Sequence, residues 1–107
     1  MKKILFICSK NKLRSPTAEI IFSEYEALET DSAGLNKGAE NLLSHEALEW
    51  ADIIFVMEKK HRHKLSQKFQ PYLKNKKIIC LDIPDKYDYM QPELVVLLNK
   101  KVFPYLR

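Results

Sequence analysis

Glycine, cysteine and tryptophan are scarce in this chain of 107 residues, which holds two glycines, two cysteines and one tryptophan. With so little glycine, and with no low-complexity tract or internal repeat, nothing marks a linker, and residues 1–107 are read as a single domain. Two cysteines cannot build a disulfide framework. Each is expected to be a reduced thiol, structural or reactive, as in a cytoplasmic protein. Long hydrophobic runs are missing too: Ile4 to Cys8, Ile53 to Met57 and Leu94 to Leu98 fall far short of the roughly 20 residues that span a bilayer. The first of these is also too short for a secretory core. A membrane-spanning role is therefore not expected. What is present is enough apolar sequence for a core, 46% of residues, and a surplus of positive charge, +4 with a pI near 9.0. That surplus keeps anionic partners open, whether nucleic acid, acidic lipid or phosphorylated substrate.

The short apolar runs have the character of strands buried on both faces. Strands are expected at about 3–8, 30–33, 53–57 and 78–81. Between them the spacing of apolar residues predicts helices from Ser15 to about Leu28, from Ala39 to Trp50, at about 58–70, and from Pro92 onward. Ser15 reads as the N-cap of the first helix, with Pro16 at its first position. The alternation implies an α/β fold of three layers, α/β/α, around a four-stranded parallel sheet, and the strand order expected for it is flavodoxin-like, 2-1-3-4. In such sheets ligands sit beyond the carboxyl ends of the strands.

The residues just past the first strand are Cys8-Ser9-Lys10-Asn11-Lys12-Leu13-Arg14-Ser15. A short loop closing onto a helix N-terminus points backbone N–H groups at one centre and adds the positive end of the helix dipole, which makes a cradle for an anion. Arg14 can grip two phosphate oxygens at once, as a lysine cannot. Cys8, at the strand end, faces the same centre, where dipoles and a guanidinium favour thiolate over thiol. The pattern therefore suggests a cysteine nucleophile aimed at a bound phosphate.

Cys8, Asn11, Arg14-Ser15-Pro16 and Ala18-Glu19 resemble the phosphate loop of the low-molecular-weight protein tyrosine phosphatases, C-x-G-N-x-C-R-S-P-x-A-E. Further along, Ser32-Ala33-Gly34 is similar to that family's S-A-G segment. Asp52-Ile53 through Met57 is similar to its D-x-I-x-x-M strand, and Ile83-Pro84-Asp85-Lys86-Tyr87 to its I-P-D-P-Y loop. The chain departs from the pattern where the loop glycine is Lys10, the loop's second cysteine is Leu13 and the proline after the acid is Lys86. The resemblance implies a phosphomonoester hydrolase acting through a phosphocysteine, with no cofactor or metal. Its partners would be a phosphotyrosine protein or small phosphomonoester, and a phosphate or sulfate ion would sit in the loop. It makes Cys8 the nucleophile and Arg14 the guanidinium partner, and it makes Ser9, Lys10, Asn11, Lys12, Leu13, Arg14 and Ser15 the phosphate-binding set. Among Asp82, Asp85 and Asp88 it selects Asp85 as general acid, with Asp82 as the fallback. Tyr87 is expected to wall an aromatic leaving group.

Two other readings compete. An arsenate reductase of the same fold would need a relay of two further cysteines, and a non-catalytic phospho-ligand binder would not need a placed aspartate. The run Lys59-Lys60-His61-Arg62-His63-Lys64 is expected to be a solvated helix face. No aromatic stacking pattern accompanies it, so nucleic acid is not the expected partner. Cys80 is expected in the core.

Overall fold

A computed structural model describes residues 1–106. Four strands, β1 (Lys2–Cys8), β2 (Leu28–Gly34), β3 (Ile53–Val56) and β4 (Lys77–Cys80), form one parallel sheet in the expected order β2-β1-β3-β4. Helices α1 (Arg14–Ser23), α2 (His45–Trp50), α3 (Lys59–Phe69) and α4 (Pro92–Val102) connect or follow them. Ile4 to Ile7 are wholly buried because both faces of β1 are covered. Ile4, Phe6 and Cys8 point to the side covered by α1 and α4, where Phe22, Leu94 and Leu98 complete a core. Leu5 and Ile7 point to the other side, onto Leu48 of α2 and Leu65 of α3. Phe6 anchors the first layer by stacking between Phe22 and Phe55, with ring centroids 5.7 and 5.4 Å away.

Three expectations are corrected. Helix α1 begins at Arg14 with Leu13 as N-cap, and Ser15 caps nothing, because its hydroxyl is taken by the site described below. The second helix is only six residues long. Residues 35–43 run as a loop along the sheet end, tied down by Leu43 N–H donating to the Gly34 carbonyl and Gly34 N–H donating to that of Asn41. Strand β4 lies at the sheet edge, so Cys80 is half-buried, with its thiol 3.4 Å from Asp82 Oδ1. Burial pushes that thiol's pKa up.

Candidate active site

The carboxyl end of β1 delivers Cys8 into a cavity of about 390 Å³, lined by Ser9, Lys10, Lys12, Leu13, Arg14, Asn36, Lys60 and Asp85 as well. Within the loop only Asn11 takes a positive φ, 57°, a conformation that asparagine tolerates well. Lys10, in the family's glycine position, is not among the residues with positive φ, so the missing glycine imposes no backbone strain there.

Asn11 is buried and its amide does two jobs: Nδ2 donates to Ser15 Oγ and to Ser32 Oγ, each at 2.9 Å. Ser32 Oγ in turn donates to the Glu19 carboxylate. Ser15 Oγ lies 2.9 Å from Cys8 Sγ, and since it accepts from Asn11 it has its own proton to give to the sulfur. The chain of bonds therefore ends on the nucleophile as a donor, which is the polarity a thiolate needs. Glu19 anchors the far end.

The carbonyls of Cys8, Ser9 and Lys10 accept from the N–H groups of Leu35, Asn36 and Glu40. Carbonyl dipoles that would repel an anion are thus occupied by the loop that follows β2. This packing explains Gly34. A Cβ placed there would lie 2.7 Å from the Ser9 carbonyl oxygen, 3.0 Å from the Asn11 nitrogen and 2.6 Å from Ala39 Cβ. The nearest polar atoms belong to backbone, which cannot swing aside. Gly34→Ala is accordingly expected to lower stability by about 1–3 kcal/mol in urea unfolding, the usual cost of overpacking, and to lower catalytic turnover because the phosphate loop is what must move.

Arg14 is 2% exposed, so its charge must be met by the protein. One terminal nitrogen donates to Glu58 Oε1 at 2.6 Å and to the Ile83 carbonyl at 2.7 Å, while Nε lies 3.8 Å from Asp85 Oδ1. Burial pushes the Glu58 carboxyl's pKa up, but the hydrogen bond and charge of Arg14 outweigh it and hold the group below its ordinary value. Glu58 itself is organised by His61: the Glu58 backbone N–H donates to His61 Nδ1 at 3.0 Å, and His61 Nε2 lies 2.8 Å from Ser9 Oγ. The expectation of a uniformly solvated basic helix is corrected at this residue. His61 is 2% exposed and shares an inward face with Leu65, four positions on. Glu58 and His61 were not singled out from the sequence, although they follow the carboxyl end of β3.

Of the aspartates, Asp85 lines the cavity, whereas Asp82 lines a separate shallow groove with Glu58, Lys59 and Pro84. Tyr87, expected as a substrate wall, is placed elsewhere. It is half-buried against the core on the α1 and α4 side and lines a groove on α4. The loop is drawn that way because Met90 N–H donates to Thr17 Oγ1 on α1.

A thiol at the end of a central strand, a buried guanidinium and an aspartate thus surround one anion-sized hollow. Residues 3–43 match the family model described as low molecular weight phosphotyrosine protein phosphatase. Over the whole fold the chain is similar to the low molecular weight protein tyrosine phosphatase SP-PTP from Streptococcus pyogenes, at TM-score 0.81 and 18% identity over 99% of this chain and 91% of that one. It is similar to the YwlE arginine phosphatase of Geobacillus stearothermophilus, at TM-score 0.77 and 21% identity over 99% and 94% of the two chains. It is also similar to Wzb of Vibrio vulnificus, solved in complex with benzylphosphonate, at 0.76 and 24% over 97% and 96%. No curated protein sequence matches the chain.

Proposed function

We propose that this protein hydrolyses phosphotyrosine and related aryl phosphomonoesters, with Cys8 as nucleophile, Arg14 as phosphate clamp and Asp85 as general acid. The observation that carries the reading is the donor chain from Asn11 through Ser15 to the Cys8 sulfur. In the first step the Cys8 thiolate attacks phosphorus, the bond to the leaving oxygen breaks, and Asp85 gives that oxygen its proton. In the second, water attacks the phosphocysteine and passes a proton to Asp85. The sulfur–phosphorus bond breaks, and Ser15 receives the thiolate with its hydroxyl proton. A thiol relay of the arsenate reductase kind would need two more cysteines, and the chain has one, Cys80, on the edge strand. The setting is the cytoplasm, where Cys8 stays reduced.

The leaving group is argued from charge. Four cationic side chains line the cavity, Lys10, Lys12, Arg14 and Lys60, against one acidic side chain, Asp85. A phosphoarginine would bring a guanidinium into that surplus, whereas a tyrosine ring adds no charge. Lys10, Lys12 and Lys60 are exposed, so they also meet whatever flanks the phosphate. Phosphotyrosine peptides are therefore expected to exceed phosphoarginine peptides in kcat/KM by at least about tenfold, the effect of 1.4 kcal/mol. Steady-state phosphate release from matched peptides measures it. Preference for phosphoarginine, or no turnover of either peptide, would overturn the reading.

A further inference from the structure

The Ser9 side chain carries a hydroxyl on the residue next to the nucleophile, and its one partner among the described residues, His61, comes from a different strand-to-helix junction. The polarity of that contact is fixed by the other ring nitrogen. His61 Nδ1 accepts from the Glu58 backbone N–H at 3.0 Å and so cannot carry a proton. The ring's only N–H is then on Nε2, which donates to Ser9 Oγ at 2.8 Å. Ser9 is an acceptor in this bond and keeps its own proton for another acceptor, and Ser9 lines the cavity that the phosphoryl group would enter.

We infer that His61 is a positioning residue, held as the neutral Nε2–H tautomer, which aims the Ser9 hydroxyl as a hydrogen-bond donor to the bound phosphate. This rests on the phosphatase reading of the site and adds a side-chain donor to it. A charged ring would not serve, since a proton on Nδ1 would confront the Glu58 N–H. The surroundings keep the ring neutral: burial and the nearby charge of Arg14, with Lys60 adding to it, outweigh Glu58 and Asp85 and hold its pKa at about 4.

Titration calorimetry with inorganic phosphate tests this without turnover. Ser9→Ala is expected to weaken phosphate binding by about tenfold, as loss of a hydrogen bond to a charged group does. His61→Phe, which keeps the volume and loses both bonds, is expected to do the same. The double variant should bind no worse than Ser9→Ala alone, because the histidine acts through the serine. His61→Gln, which can accept at one end and donate at the other, should restore most of the affinity. The inference is overturned if Ser9→Ala binds phosphate as the parent does, or if His61→Phe still weakens binding when Ser9 is already alanine. Should His61→Phe not fold, Ser9→Ala and His61→Gln decide the matter by the same readout. Hydrolysis of p-nitrophenyl phosphate, run beside it, separates the two readings. Phosphate binding that follows the cycle without hydrolysis sinks the enzyme reading alone, and hydrolysis with an unaltered Ser9→Ala affinity sinks this one alone.

Discussion

Replacing Cys8 by serine is expected to abolish hydrolysis of p-nitrophenyl phosphate, by at least ~10⁴ in kcat, as losing a nucleophile does elsewhere, while phosphate binding survives. The side chain is 3% exposed and ends a strand packed on both faces, so a smaller oxygen in place of sulfur leaves the backbone cradle as it is. What disappears is the sulfur nucleophile of the proposed mechanism. Ser15 Oγ, 2.9 Å from the sulfur, is arranged to donate to a thiolate, and a neutral alcohol gives that donor nothing to stabilise. Calorimetry with phosphate beside a turnover assay measures both halves. Turnover surviving Cys8→Ser would remove the phosphocysteine from the mechanism, and loss of phosphate binding would show that the substitution had damaged the loop.

Asp85→Asn is expected to lower kcat for phenyl phosphate by roughly 10²-fold or more, within the range that general acids contribute, and to lower it less for p-nitrophenyl phosphate. The difference arises because a nitrophenolate departs without a proton and a phenolate does not. Asp85 is suited to the task by place: its carboxylate lines the cavity, 3.8 Å from Arg14 Nε, and remains 60% exposed, so it can exchange protons with water between the two steps. Asp82→Asn is expected to change kcat little, since that carboxylate opens onto a different groove and accepts from the Cys80 thiol. A larger fall on Asp82→Asn than on Asp85→Asn would reassign the acid. Paired rates on the two esters supply the comparison.

Most of the sheet was legible because its signal is local: runs such as Ile4–Ile7 and Ile53–Val56 are buried on both faces, and that requires parallel strands under helices. The phosphate loop was legible for the same reason, lying at the end of the first such run. What escaped depends on distant partners. Ser15 followed by Pro16 has the local form of a helix cap, yet Asn11 and Cys8 claim its hydroxyl and the helix starts at Arg14. The second helix is short because residues 35–43 are needed to hold the loop carbonyls and Gly34, a demand no helical periodicity displays. His61 was hidden by its neighbours: four lysines and arginines around it in Lys59 to Lys64 make the stretch read as one polar face, and only its spacing from Leu65 marks it as inward. Tyr87 followed a plausible chemical role but goes where the Met90 to Thr17 bond takes its loop.

Cys8 and Asp85, the proposed nucleophile and acid, also stand on backbone of very different kinds. Cys8 closes β1, a central strand paired along all seven residues to β2 and on its other edge to β3. Asp85 sits on an exposed loop beyond the edge strand. Excursions that open a protein in pieces reach loops and edges long before central strands. Cys8 and the loop that follows it therefore share the lifetime of the whole fold, while Asp85 follows much faster local breathing. Warming short of unfolding would disturb protonation of the leaving group first, and capture of phosphate last.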